Sequence, residues 1–140
     1  MGQVETFDHT ADLGLRILAD DLNDLFQTAA IGLFDVIVAN REDVQASEIE
    51  RITLQADSPA DLLVEWLNEL IYRSETSHRL YSSFTVEIDE PACRLTATIR
   101  GEPIDRNRHI LDHEVKAATR HGLILQKEAD GWVAEVIVDI

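Results

Sequence analysis

The sequence predicts an α+β protein, a two-layer sandwich in which two helices pack on a mostly antiparallel sheet. Two segments repeat apolar residues at helical spacing, and several others alternate apolar and polar residues as strands do. In the C-terminal half, turn signals rather than helices separate the strands. The chain has 140 residues, of which 45% are apolar, and no linker or repeat divides it. We therefore expect a single domain spanning residues 1–140.

The N-terminal part predicts two strands and a helix. The strands are "VETF" and "LGLRILA", and alternate residues from Leu13 to Ile17 share one apolar face. Asp20 or Asp21 can cap the helix that follows. Gly32 within that helix indicates close packing against a neighbour. Its apolar stripe consists of Leu22, Leu25, Phe26, Ala29, Leu33, Phe34 and Ile37.

The middle of the chain predicts a third strand, with room for a bend, in "VQASEIERITLQA" and a second helix that begins at "SPADLL". Ser58 is the expected cap and Pro59 the first helical residue. Glu65, Asn68 and Glu69 are expected to face outward. The buried stripe of this helix is predicted to consist of Leu62, Leu63, Trp66, Leu67, Leu70 and Ile71.

From residue 81 onward the pattern is typical of strands. The predicted strands are "FTVEIDE", "CRLTATIRGE", "EVKAAT", "LILQKE" and "WVAEVIVDI", and "PIDRNRHILDH" is an irregular connection. Cys93 alternates with apolar residues and is expected to be buried. His78 is expected to cap the second helix, and His121 to lie in a turn beside a glycine.

The charge and composition exclude several classes of protein. The formal net charge is −15, from 27 acidic and 12 basic residues, so direct nucleic-acid binding is not expected. A role on RNA would require a basic protein partner or a bound cation. The single cysteine, the absence of a signal-peptide pattern and the short apolar runs predict a cytoplasmic location without membrane contact.

Acidic residues near both ends of the chain are the candidate functional residues. In "TFDHTADLG", Asp8 and Asp12 can supply hard oxygen ligands, although such residues also form local turn hydrogen bonds. Asp139 ends an apolar strand, and Ile140 adds the terminal carboxylate. If packing fixes these groups together, their repulsion requires a positive charge between them.

Two kinds of positive charge fit such a site. Ca²⁺ or Mg²⁺ prefers oxygen ligands, and the side chains of Arg16 or Lys116 are the alternative within the chain. The five histidines lack the spacing of a zinc site. No phosphate loop or activated nucleophile is recognisable.

Two further functional classes remain open from the residues alone. One is a divalent-metal-dependent phosphoester hydrolase that uses Asp8, His9, Asp12 and Asp139. The other is a plain interaction module whose acidic surface binds a partner, with those carboxylates merely structural.

Five stretches together resemble the archease family. They are "DHTADLG", "GLFDV", "DLLVEWLNELIY", "EVKAATRHGL" and the final "VDI", in order from about residue 5 to residue 140. The resemblance implies a non-enzymatic cofactor that activates a GTP-dependent tRNA-splicing RNA ligase of the RtcB type. It implies that the protein promotes transfer of GMP to the histidine of the ligase and allows multiple turnover. Some members also act in a chaperone-like way on a tRNA methyltransferase.

The resemblance also implies which residues form the site. Asp12, Asp139 and Ile140 fall on the metal-binding positions of the family, for which calcium is the usual ion and Mg²⁺ or another divalent cation the alternative. His113 departs from the family pattern by placing a bulky titratable side chain before "EVKAAT". Four further residues are expected to contribute to function less directly than these ligands: Asp8, His9, Glu114 and Lys116.

Overall fold

Seven strands and two long helices make up the described part of the chain. The structure is a computed structural model that describes residues 2–9 and 12–140, and for Asp8 and His9 it describes the backbone only. A short 3-10 turn follows the first helix. The elements are β1 (Gln3–His9), β2 (Asp12–Ala19), α1 (Leu22–Ile37), the turn Arg41–Asp43, β3 (Glu48–Gln55), α2 (Pro59–Ser77), β4 (Arg79–Asp89), β5 (Arg94–Pro103), β6 (Ala117–Glu128) and β7 (Gly131–Asp139).

The strands form two antiparallel sheets. One has the order β1-β2-β7-β6 and the other the order β3-β5-β4, and every pair within them is antiparallel. The helices lie against both sheets, α1 mainly on β4 and β2 and α2 mainly on β6. The predicted α+β class is therefore confirmed, and the structure adds the division of the strands between two sheets.

Helix α1 begins where its sequence predicts. The side chain of Asp21 accepts a hydrogen bond from the backbone N–H of Asp24 at 2.8 Å, which satisfies one of the free amides of the first turn. Gly32 is buried against β1, because a Cβ built there would lie 2.7 Å from Cγ2 of Val4. The predicted close approach is thus present, and it holds the edge strand against the helix.

Helix α2 is anchored in the core by a cap at its start and by a buried tryptophan. Ser58 caps it by accepting the N–H of Asp61 at 3.1 Å. The indole of Trp66 is fully buried and donates from Nε1 to the carbonyl of Phe26 in α1 at 2.9 Å. The same ring lies edge-on to Phe84 of β4, with 6.4 Å between the ring centroids.

In α2, the predicted cap at His78 is confirmed, whereas the prediction that Asn68 faces outward is wrong. His78 ends the helix in the left-handed conformation, with φ 54°, as predicted for a C-terminal cap. Asn68 does not face solvent, because its amide accepts from the N–H of Ala118 at 2.8 Å and donates to the same residue's carbonyl at 3.1 Å. This pair of hydrogen bonds fixes α2 to β6.

Three predictions about the β-rich half are wrong: the burial of Cys93, the two separate strands after residue 113, and the turn at His121. Cys93 lies in the turn between β4 and β5 with φ 49° and is only partly buried. The "EVKAAT" and "LILQKE" stretches are not separate strands, because β6 pairs with β7 on both sides of an irregularity between Thr119 and Ile124. His121 therefore lies inside a strand, next to Gly122 with φ 68°, and the expected turn is a bulge.

The third strand is shorter than predicted, since β3 begins only at Glu48. None of the helices in the described ranges is long and apolar enough to cross a bilayer.

Candidate functional site

The register of β2 and β7 brings Asp12 directly opposite Asp139. Directly opposed residues of antiparallel strands share a face of the sheet, and Ala117 of β6 is opposite Asp139 on the other side. The two carboxylates are consequently neighbours at one end of the four-stranded sheet. We call Asp12 and Asp139 the carboxylate pair.

The carboxylate of Asp12 disfavours the ionised form of Asp139. The pKa of Asp139 is raised, first because its carboxyl hydrogen-bonds to the side chain of Asp12, then by burial and by the charge of Asp12. The positive charge of Lys116 acts in the opposite direction and lowers that pKa. A raised pKa means that the ionised form of Asp139 is disfavoured in the folded protein, which a bound cation would reverse.

The two basic residues predicted as alternative counter-charges are placed differently. Lys116 adjoins the pair, and its backbone N–H also donates to the carbonyl of Asp139 at 2.9 Å. Arg16 lies further along β2, on the same face as Asp12. Its guanidinium donates to Glu5 at 2.7 Å and to Glu135 at 2.9 Å. Its guanidinium is thus already committed to two carboxylates.

A buried hydroxyl lies on the same face of the four-stranded sheet. Thr119 shares the face of Ala117 and Asp139, because alternate residues of a strand point the same way. Its Oγ1 is buried, and within the described part of the chain it has no hydrogen-bond partner. Buried polar atoms without partners are rare, and a water or an ion commonly satisfies them. The two carboxylates themselves are the kind of hard oxygen ligand that Ca²⁺ or Mg²⁺ prefers.

Ile140 follows Asp139 directly, and 36% of its surface is exposed, so its side chain is partly packed. Among the side chains that the structure describes, no three of His, Cys, Asp and Glu form a metal-binding group. The carboxylate pair supplies two oxygen donors, and the third predicted donor is the main-chain carboxylate of Ile140.

The remaining predicted residues are only partly placed near the pair. The side chains of Asp8 and His9 lie outside the described residues, although the backbone of His9 is opposite Asp12 and that of Asp8 opposite Leu13. Glu114 lines a cavity near the C-terminal ends of α1 and α2, and His113 lines the same cavity.

A buried ionic cluster in the second sheet has no counterpart among the sequence predictions. Glu102 of β5 has only 7% of its side chain exposed. It accepts hydrogen bonds from the N–H of Gln45 at 2.7 Å, from Arg108, and from Nε2 of His109 at 2.9 Å. Nδ1 of His109 accepts the N–H of Asp105 at 2.9 Å, so the proton of the neutral ring lies on Nε2 and points to Glu102.

This cluster holds the irregular connection of residues 104–116 against the second sheet. No signal in the strand pattern reveals it, because Glu102 and Gln45 are 57 positions apart and the alternation of β5 places Gly101, not Glu102, in line with its buried residues.

Replacing Glu102 by Gln should lower the free energy of unfolding at pH 7 by about 2 kcal/mol, because buried donors lose their charged acceptor. The hydrogen bond from Arg108 is the main reason that the pKa of Glu102 is lowered, to about 2 from 4.5; the N–H of Gln45 and His109 add to it, and burial opposes it. A lowered pKa contributes stability that is present above pH 4.5 and is lost as the pH falls towards 2. Denaturant unfolding at pH 7, 4.5 and 3 should therefore show a smaller acid-induced loss for Glu102→Gln than for the wild type.

Glu90→Gln in the exposed β4–β5 turn is the matched control and should behave as the wild type. Equal stability of Glu102→Gln and Glu90→Gln at pH 7 would contradict the role of the cluster.

The described residues define an α+β protein in which the pairing of β2 with β7 places two carboxylates beside each other. The chain belongs to the archease family: the sequence model described as "Archease protein family (MTH1598/TM1083)" matches residues 5–140. This confirms the resemblance seen in the sequence motifs.

Relatives and solved structures agree with this assignment along the whole chain. The chain is 37% identical to protein archease of Methanopyrus kandleri, over 97% of this chain and 98% of that protein. It is 35% identical to protein archease of Pyrococcus abyssi, over the full length of both. The solution structure of protein 1598 of Methanobacterium thermoautotrophicum has a TM-score of 0.84 and 35% identity, over 98% of both chains.

A more distant crystal structure supports the fold alone. It is the structure of an archease of Thermotoga maritima, described as a possible chaperone, with a TM-score of 0.65 and 18% identity. It covers 97% of this chain and 96% of its own.

Proposed function

We propose that this chain is a non-enzymatic, metal-binding activator of a GTP-dependent tRNA-splicing RNA ligase of the RtcB type. The observation that carries the proposal is the carboxylate pair, in which the pKa of Asp139 is raised beside Asp12. Membership of the archease family supports it. The proposed activity is to promote guanylylation of the ligase and to allow multiple turnover.

The proposed site consists of Asp12, Asp139 and the terminal carboxylate of Ile140, with Ca²⁺ as the ion and Mg²⁺ or another divalent cation as the alternative. When bound, the ion supplies positive charge that can neutralise nucleotide phosphates at the ligase. The protein's own part is to hold the carboxylates at the end of two hydrogen-bonded strands. Lys116 limits the local negative charge from one side, which tunes the affinity for the ion.

The net charge of −15 favours docking beside the basic RNA-binding mouth of a ligase, since opposite surface charges steer association. Stimulation should therefore weaken as salt rises. A chaperone-like action on a tRNA methyltransferase, which the family resemblance implies, would rely on the same acidic surface.

The test is to mix the chain with an RNA ligase of this type and GTP labelled in the α-phosphate, and to follow labelling of the ligase. Substoichiometric amounts of the chain should raise both the initial rate of ligase guanylylation and the number of RNA joining cycles per ligase. An unchanged rate together with a single joining cycle would refute the activator function. Turnover of generic phosphoesters by the chain alone, with Mg²⁺, Mn²⁺ or Ca²⁺, would instead support a hydrolase.

A further inference from the structure

A second feature, separate from the carboxylate pair, is a cavity of about 360 Å³ where α1 and α2 end. The connection of residues 104–116 closes one side of it. Its walls are apolar, and side chains that can carry charge stand among its lining residues. We call it the helix-end cavity. The apolar lining residues are Ile37, Ile71, Leu80, Ile104, Leu111 and Val115.

The cavity is built into the fold by backbone hydrogen bonds. The N–H groups of Asp112 and His113 donate to the last carbonyls of α1 at 2.8 and 3.0 Å. On the other side, the N–H of Ile104 donates to the carbonyl of His78 at 2.9 Å. These bonds fix the connection to the ends of both helices, so the cavity is pre-formed rather than a gap beside a loose loop.

The charges around the cavity favour a cation. The lining includes the carboxylates of Glu75, Asp112 and Glu114, the guanidinium of Arg106 and the imidazoles of His78 and His113. His113 lies 3.7 Å from Asp112, so Glu75 and Glu114 are the carboxylates that can receive a further cation. Neither α1 nor α2 has a basic residue in its last turn, and the C-terminal end of a helix carries a partial negative charge. The cavity therefore combines an apolar interior with a net negative rim.

We propose that the helix-end cavity binds an arginine side chain of a basic protein partner. The methylene stem of an arginine covers apolar surface while its planar guanidinium makes charge-assisted hydrogen bonds with carboxylates. Glu75 and Glu114 are both exposed at the rim, where they can receive it. This contact goes beyond the activator function, because it lies outside the carboxylate pair and needs no metal ion.

The first test uses n-butylguanidinium as the probe, titrated into ¹⁵N-labelled protein and followed by NMR. It has the charge and the apolar stem of an arginine side chain, whereas pentanamide has the same stem with a neutral amide head. Amide shifts should cluster at residues that line the cavity, and pentanamide should bind at least about fivefold more weakly, because it lacks the positive charge and the forked donors of a guanidinium. Equal binding of the two probes, or no shifts at the cavity, would overturn the proposal.

A pair of double variants separates the rim from the overall charge. Glu75→Gln with Glu114→Gln should weaken butylguanidinium binding by about tenfold, since two carboxylate acceptors are lost. Glu42→Gln with Glu90→Gln makes the same charge change at exposed positions that do not line the cavity and should leave binding unchanged. Identical binding by the two double variants would refute the role of the rim.

The ligase assay identifies the partner, and this step alone rests on the proposed function. The Glu75/Glu114 variant should require more chain than the Glu42/Glu90 variant for half-maximal guanylylation. If both need the same amount, the ligase does not supply the arginine. If the wild type fails to stimulate any ligase, the activator function fails, while the NMR titration still decides the cavity.

Discussion

Asp139→Asn should weaken calcium binding and remove ligase stimulation while the protein remains folded. Asparagine keeps the backbone pairing of β7 with β2 but removes one of the charged oxygen donors, and the affinity of Ca²⁺ sites depends strongly on ligand charge. We expect at least about a tenfold loss of Ca²⁺ affinity in calorimetry. In the guanylylation assay, the maximum rate should fall to that of the ligase alone. Asp12→Asn should have the same effect.

The stability of the metal-free protein should change in the opposite direction. Because the pKa of Asp139 is raised beside Asp12, the ionised pair costs stability above that pKa, and the cost disappears as the pH falls and Asp139 is protonated. Asp139→Asn removes this cost, so the metal-free variant should be at least as stable as the wild type at pH 7. A loss of function that accompanies retained stability distinguishes a ligand from a structural residue.

A control variant and a pair of tagged proteins complete the comparison. Asp130→Asn, in the exposed turn at the other end of β7, makes the same chemical change and should leave Ca²⁺ binding and stimulation intact. A tag fused to Ile140 replaces the terminal carboxylate by an amide and should weaken Ca²⁺ binding relative to a tag at the N-terminus. If Asp12→Asn and Asp139→Asn both stimulate fully, the metal site is refuted and only an acidic docking surface remains.

The elements that could be predicted from the sequence are those determined by neighbouring residues. Asp21 and Ser58 cap α1 and α2 through hydrogen bonds to amides three positions away, and this spacing can be read directly. His78 ends α2 for an equally local reason, a left-handed backbone. The alternation of β2 likewise predicts its buried face, because side-chain direction alternates with every residue.

The features that escaped prediction depend on residues far apart in the chain. Asn68 has the sequence spacing of an outward-facing residue, but the edge of β6 provides it with backbone partners 50 positions away. The division into two sheets and the bulge in β6 follow from which strands meet, which the alternation of one strand does not determine. Asp12 and Asp139 are farther apart still in the sequence, and only the family resemblance predicts them as one site; the register of β2 with β7 places them side by side.

Trp66→Ala should produce the largest loss of stability of any substitution considered, about 4 kcal/mol in the free energy of unfolding. The indole has no exposed surface, and it contacts both Phe26 of α1 and Phe84 of β4. Its removal opens a cavity where the two helices and the second sheet meet. The corresponding fall in melting temperature is roughly 15 °C. Far-UV circular dichroism measures the free energy of unfolding and the melting temperature, and its signal does not depend on the remaining tryptophan, Trp132.

Two variants test whether this loss comes from packing at that junction. Tyr72→Ala removes an aromatic ring from the same helix at a position with 63% exposure, and it should change stability by less than about 0.5 kcal/mol. Trp66→Phe keeps a ring against Phe84 but loses the hydrogen bond to Phe26, and the smaller ring leaves part of the space empty. Its loss of stability should therefore lie between those of Trp66→Ala and Tyr72→Ala. A Trp66→Ala protein as stable as Tyr72→Ala would contradict the role of Trp66 in packing α2 against α1 and β4. The carboxylate pair lies on the four-stranded sheet, and α2 contacts this sheet through β6. If the loss of Trp66 unfolds α2, Ca²⁺ binding should therefore also be lost, although Trp66 is not a ligand.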